Sequence, residues 1–313
     1  MVLTARFPQR RPKTTLSMSY TLKDVNTQTL DTVRGALTDI FESLYPKEDS
    51  RFIPQFTEAV KRMFDGEYKN YGKVTTEYHD REHTLQAALC MARLLEGRKL
   101  SREHPPLTAR HFRIGLAGIL LHDVGYLKDV DDEIGTGAKY TIEHEERSVF
   151  IADLFLREID WQDRDIQWVI DLIRCTGPQS QINKLDFEDE MERFLGQAIC
   201  TADYLGQMAD YQYLQKLPIL FEEFEESDDF QDVPLEKRMF RSAEDLIRKT
   251  PGFWGFVQNK VLTQDCGEVY KYLGRPVNAK KQSNPYLEKI GRNIKKIQAL
   301  VDEGRVGDFL ASV

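Results

Sequence analysis

The chain of 313 residues has no apolar run long enough to cross a bilayer. The longest, Ile114 to Leu121, ends at His122, whereas a spanning helix needs roughly 20 apolar residues. No membrane partner is therefore expected. Basic residues are in the minority, 43 against 51 acidic, for a formal net charge of −8. A chain of that sign cannot hold a long nucleic acid by overall charge, so a phosphate-bearing ligand has to be small or met by local cations such as metal ions. Cysteine is scarce: Cys90, Cys175, Cys200 and Cys266 are scattered without C-x-x-C spacing. That usage suits buried free thiols in a reducing compartment, and the expected location is cytoplasmic. Strictly alternating apolar patterns are hard to find, which argues against sheets. Residues 20–313 show no internal repeat and no low-complexity linker, so one domain over that range is the simplest division.

What is present is a globular balance, 41% hydrophobic and 30% charged, with apolar residues recurring at spacings of three and four. The expected fold class is all-α, a compact multi-helix bundle. Leu30, Val33, Leu37, Ile40, Phe41 and Leu44 form one stripe that Pro46 ends. Further helices are expected over 52–64, 79–97, 108–123, 141–158, 163–174, 188–209, 235–248, 252–263 and 284–302. In the helix over 79–97 Leu85, Ala88, Leu89, Ala92 and Leu95 should face inward, and Ser101 to Pro106 form a breaker-rich linker after it. The helix over 108–123 is nearly continuous in apolar residues and belongs at the centre of the core. Two segments depart from this average. Residues 1–19 carry Arg6, Arg10, Arg11 and Lys13 with no acid, which reads as a disordered arm or a weak targeting peptide. Residues 222–232 carry Glu222, Glu223, Glu225, Glu226, Asp228, Asp229 and Asp232 without a basic neighbour, which reads as a solvated loop or helix edge. Lys280 and Lys281 read as solvated.

Only six histidines occur, and four of them keep company with carboxylates: His79 and His83 in Y-H-D-R-E-H, His122 beside Asp123, and His144 in I-E-H-E-E. Positions four apart share a helix face, so His79 and His83 are expected to look into one cavity. His122 closes an apolar helix, which places the H-D pair where buried helix meets open space. Imidazole nitrogen together with hard carboxylate oxygen suits Zn, Mn, Fe or Mg better than copper. Asp203, in C-T-A-D-Y-L-G-Q, interrupts an apolar helical stretch; a buried carboxylate needs a partner, and a cation is the natural one. Gln207, one turn beyond Asp203, is a candidate for substrate contact or a plain surface amide. Lys128 and Lys139 are the cations nearest in sequence to the H-D pair and are candidates for binding phosphate. Phe253, Trp254 and Phe256 either clamp a ring or belong to the core, while His104 and His111, flanking the Pro-containing linker, read as structural.

These motifs resemble the HD-domain superfamily of metal-dependent phosphohydrolases, whose order of H, then H-D, then a distant D is met by His83, His122, Asp123 and Asp203. The nearest likeness is to class I cyclic-nucleotide phosphodiesterases, which have Y-H-N-x-x-H where this chain runs from Tyr78 to His83, and C-A-D-L-S where it runs from Cys200. The resemblance covers residues 78–208. It implies an all-α, HD/phosphodiesterase-like bundle with His83, His122, Asp123 and Asp203 around one tight divalent ion. It also implies Asp123 bridging to a second, looser ion, His79 as general acid, and a small phosphate ester, a nucleotide above all, as substrate. The chain departs from the pattern at Tyr126, where those phosphodiesterases place a second histidine. His144 is then the candidate for the looser ion, with phosphate donor or helix cap as its other roles. The position of a further histidine falls to Cys175 or Thr176, and no G-Y-P signature occurs, so cyclic-di-nucleotide hydrolases and diiron oxygenases fit less well. Two rivals stand beside the phosphodiesterase: a nucleotidase or alarmone pyrophosphohydrolase, whose E-D pair Asp131 and Asp132 match poorly, and a catalytically silent nucleotide-binding signalling module. The oligomeric state is left open.

Overall fold

The computed structural model describes residues 25–177, 182–278 and 281–313; the segment 1–19, Lys280 and the side chain of Lys281 lie outside the described residues. The fold is all-α, as the apolar spacing predicts. In chain order the helices are α1 (Leu30–Leu44), α2 (Phe52–Phe64), α3 (Arg81–Ser101), α4 (Ala109–Leu121), α5 (His144–Glu158), α6 (Asp163–Ile173), α7 (Glu190–Met208), α8 (Tyr213–Phe230), α9 (Ala243–Phe256), α10 (Pro285–Asp302) and α11 (Val306–Leu310). A two-stranded antiparallel hairpin, β1 (Arg275–Asn278) with β2 (Lys281–Ser283), is the one sheet among the described residues. No helix among them is long and apolar enough to cross a membrane.

The centre of the molecule is the pair α3 and α7, which pack along each other, with α4 against both and α6 behind α4. α4 is buried from Phe112 to Leu121 except at Arg113, as its continuous apolar run predicts. α3 exceeds its expected single stripe: every residue from Leu85 to Leu95 is buried, Arg93 included. It serves as a central post wrapped by α1, α4 and α7.

One glycine sets the spacing of the two central helices. A Cβ on Gly206 would stand 2.9 Å from the Ala87 Cα, so only glycine lets α7 lie this close to α3. Gly206 is about one turn after Asp203, and Ala87 one turn after His83, so this contact draws those two side chains together.

Three elements differ from their expected form. α3 begins at Arg81 because Asp80 is its N-cap, accepting the His83 backbone N–H at 2.9 Å; His79 therefore lies in the bend before the helix and shares no helical face with His83. α8 occupies 213–230, where no full helix is expected and 222–232 reads as a solvated loop or helix edge, and α9 runs through Pro251 and continues as a π-helical stretch, Val257–Asp265, where two helices are expected. The four cysteines are buried free thiols, as their scatter suggests.

Candidate metal centre

Local structure brings each ligand candidate to one place. His83 stands in the first turn of α3, held there by the Asp80 cap. His122 is the C-cap of α4, directly after Leu121, and Asp123 follows it into a tight turn, Val124–Tyr126. A Cβ on Gly125 in that turn would stand 1.9 Å from the His144 carbonyl oxygen. Glycine is required for the turn to press on α5, whose first residue is His144.

The distances describe a convergent cluster. Asp123 Oδ2 lies 3.1 Å from His83 Nε2 and 3.2 Å from His122 Nε2. Asp203 Oδ1 lies 3.2 and 3.5 Å from the same two nitrogens. The other oxygen of Asp123 faces His144 Nε2 at 3.8 Å, so the carboxylate presents one oxygen to each of two places. All five residues are buried.

The outer nitrogens explain the orientation of the rings. His122 Nδ1 is 2.8 Å from the Ile119 carbonyl and His144 Nδ1 is 2.7 Å from that of Thr141. A carbonyl only accepts, so in both rings Nδ1 carries the proton and Nε2 is left with a lone pair pointed inward, the arrangement that prepares a histidine to bind a metal. His122 Nε2 and Asp123 Oδ2 are buried with no hydrogen-bond partner, and a lone pair facing a carboxylate oxygen is repulsive unless a cation lies between them. The buried group of His83, His122 and Asp123 could thus hold a metal ion, its ligand atoms all lying within 4.8 Å of one another.

The electrostatics agree. Burial lowers the His83 pKa, but the negative charges of Asp123 and Asp203 beside the ring outweigh it and lift it to about 10. Burial pushes both carboxylates up, yet the imidazoles hold Asp123 and Asp203 well below the usual range. A cation entering such a cluster would displace the His83 proton.

The remaining site residues fall into place around this cluster. His79 Nδ1 makes a 2.5 Å hydrogen bond to Glu223 Oε2 on α8, and the other oxygen of Glu223 accepts the backbone N–H groups of Glu77 and Tyr78 at 2.9 and 2.7 Å. Glu223 is buried. Burial raises its pKa, but the His79 ring and the backbone N–H groups of Tyr78 and His79 hold it below the ordinary value. Glu223 is therefore the acid that partners His79. The acidic run is not wholly solvated, since Glu226 is also engaged, by Thr136. Tyr126 stacks with both His79 and His144, at 4.6 and 4.7 Å between ring centres, so an aromatic ring is wedged between the two imidazoles.

His79, His83, His122, Asp123, His144, Asp203 and Gln207 line one cavity of about 340 Å³. Gln207 is partly engaged, donating to Asp203 Oδ1 at 3.2 Å and accepting from the Tyr78 hydroxyl at 2.7 Å; it steadies a ligand candidate as well as facing the cavity. Thr176 reaches the cavity wall, whereas Cys175 does not, its thiol donating to the Asp171 carbonyl. Lys128 does not line the cavity: its ammonium is captured by the Gly135 carbonyl, and that of Lys139 by Asp132 at 2.6 Å. Neither is placed to meet a phosphate. Phe253 and Phe256 line the cavity mouth, while Trp254 packs against the core. His111 caps α4 with Thr108 and has no part in the site. A larger surface groove of about 780 Å³ between α2, α4 and α5 contains none of the candidate residues.

Glu145, beside His144, supplies a test by pH. Burial, then Glu146 and Asp123, push it from 4.5 to about 7. The folded state therefore favours the protonated form, and stability falls as pH rises from the unfolded value through about 7. Glu145→Gln is expected to raise the melting temperature by about 1–2 °C at pH 8, equivalent to about 1 kcal/mol after allowance for partial exposure, and to leave it unchanged at pH 4. Equal shifts at both values in thermal melts would show that ionisation of Glu145 carries no penalty.

Compared with known proteins, residues 135–281 match a family model described as Npun_R2479-like, a description that states no activity. The match contains His144, Asp203, Gln207 and Glu223 and begins after the His122–Asp123 pair. No curated protein matches the chain.

Proposed function

We propose that the protein is a metal-dependent phosphoric ester hydrolase of the HD type. The observation that carries this reading is the juxtaposition of two unpartnered buried atoms, His122 Nε2 and Asp123 Oδ2, with a histidine–glutamate pair in the same cavity. His83, His122, Asp123 and Asp203 would hold the tighter divalent ion; His144 and the second oxygen of Asp123 would contribute to a looser one, with Thr176 rather than histidine nearby. Zn, Mn, Fe or Mg at this position would supply Lewis-acid charge toward a phosphoryl oxygen and acidify water.

The chain's own residues account for the proton. Glu223 fixes His79 through Nδ1, leaving Nε2 as the nitrogen available to the cavity, and Tyr126 stacks on the ring. In hydrolysis a new P–O bond forms from water, the P–O bond to the alcohol breaks, and His79 delivers the proton that the departing oxygen needs.

Metal analysis of the purified protein comes first, followed by assays of bis(p-nitrophenyl) phosphate and p-nitrophenyl phosphate with Mn, Mg, Zn and Fe. One ion per chain should survive dialysis, and chelation should abolish turnover that added metal restores. Failure to bind metal would overturn the reading. Bound metal without turnover of any phosphate ester would move the protein to the class of silent binding modules.

A further inference from the structure

The cavity changes character away from the histidine cluster. Leu217, Leu220 and Phe224 from α8, with Phe240, Leu246 and Phe253 from the following segment, make its outer wall. Its mouth is apolar too, with Phe253, Phe256 and Met239 exposed by 38%, 54% and 72%. Among the described residues no lysine or arginine lines the cavity. The nearby cations are turned elsewhere: Lys128 and Lys139 as above, and Arg147 onto the carbonyls of Gly125 and Leu127.

The aliphatic hydroxyls and the amide on the wall are largely engaged within the protein. Thr141, Thr176 and Thr250 donate to the carbonyls of Ala138, Ile173 and Leu246, and Gln207 is held between Asp203 and Tyr78.

From these features we infer that the ester bound here carries a single phosphoryl group on an uncharged, mainly apolar body, and is neither a nucleoside polyphosphate nor a base-recognised nucleotide. The inference rests on the phosphohydrolase reading for its head group and on the wall for its body. A second phosphate would carry charge into a wall with no cation to meet it. A nucleobase would bring several donors and acceptors to a wall whose threonines and Gln207 are already paired, with the phenols of Tyr204 and Tyr213 as the uncharged groups left to meet them, and each unmet edge weakens binding by roughly ten- to a hundredfold. An alkyl or aryl body lacks both defects and gains from every methylene removed from water. The volume, about 340 Å³, lies at the small end of ligand cavities, which run from about 300 to 1,000 Å³.

The test uses the metal-loaded full chain and non-hydrolysed probes, so that binding is read separately from turnover. Calorimetric titration with n-alkylphosphonates from ethyl to octyl should show affinity rising roughly two- to fourfold per methylene until the cavity is filled. AMP, ADP and ATP should bind more weakly than octylphosphonate, and progressively so along that series. Phe253→Lys, at the half-exposed mouth, should weaken octylphosphonate by about tenfold and strengthen ADP.

A flat alkyl series would overturn the inference, as would AMP or cyclic AMP binding more tightly than octylphosphonate, or ATP more tightly than AMP. A chain-length series in binding with no hydrolysis of the matching alkyl phosphates would sink the proposed activity and leave the cavity inference standing. Hydrolysis of simple esters with a flat series would do the reverse.

Discussion

Asp123→Ala is expected to strip the tight ion and reduce turnover by at least about 10³-fold, beyond the roughly 10²–10³ that one lost electrostatic donor costs. Its Oδ2 is the atom that both His83 Nε2 and His122 Nε2 approach, at 3.1 and 3.2 Å, and its Oδ1 faces His144. Removing it therefore damages both ion positions at once. Metal affinity should fall by more than about 10²-fold, since even the partners behind a ligand are worth roughly 10- to 100-fold. His144→Ala touches only the looser position, so it should lower the metal content from two ions toward one and preserve the ion that survives dialysis. Elemental analysis after dialysis separates the two variants. An Asp123→Ala protein that keeps its tight ion would remove this carboxylate from the centre.

The ligand candidates were legible because their side chains break an apolar context. His122 ends a buried helix and Asp203 lies in another, and such polar residues must be explained by partners. Helix positions were legible for the same reason where apolar residues keep their period, as in α1, α2, α6 and α10. The starting point of α3 was not, because a run of polar residues from Glu77 to His83 gives no apolar period, and the cap at Asp80 decides the boundary instead. That one cap removes His79 from the helix and makes its partnership with Glu223 possible.

Glu223 itself was hidden by its neighbours. The acidic run makes 222–232 look solvated, and composition averages over a helix whose two faces differ. Leu214, Leu217, Leu220 and Phe224 recur at three and four, and this stripe, read through Pro218, would have placed Glu223 beside the buried face of α8. The split expected between 248 and 252 fails at Pro251, which the helix carries as its ninth residue, counted from Ala243. The fate of Lys128 could not be read at all, since it depends on the carbonyl of Gly135 folding back over the ammonium. Proximity in sequence to an H-D pair says nothing of such a capture.

The second large effect concerns His79 and Glu223 as a unit. His79→Asn should keep the tight ion, because no atom of His79 belongs to the His83–His122–Asp123 group, yet turnover should fall by about 10²–10⁴, the usual share of general acid catalysis. The loss should shrink for nitrophenyl esters, whose leaving oxygen needs little protonation, and be full for alkyl esters. Glu223→Gln retains the shape of the side chain but takes the negative charge from the 2.5 Å contact with Nδ1, so it should follow the same leaving-group pattern with a smaller loss. If Glu223 acts through His79, the double variant should be no slower than His79→Asn alone, the non-additivity expected of residues that work as one device. Additive losses in the cycle, or equal losses for good and poor leaving groups, would show that Glu223 only supports the fold and that His79 is not the proton donor.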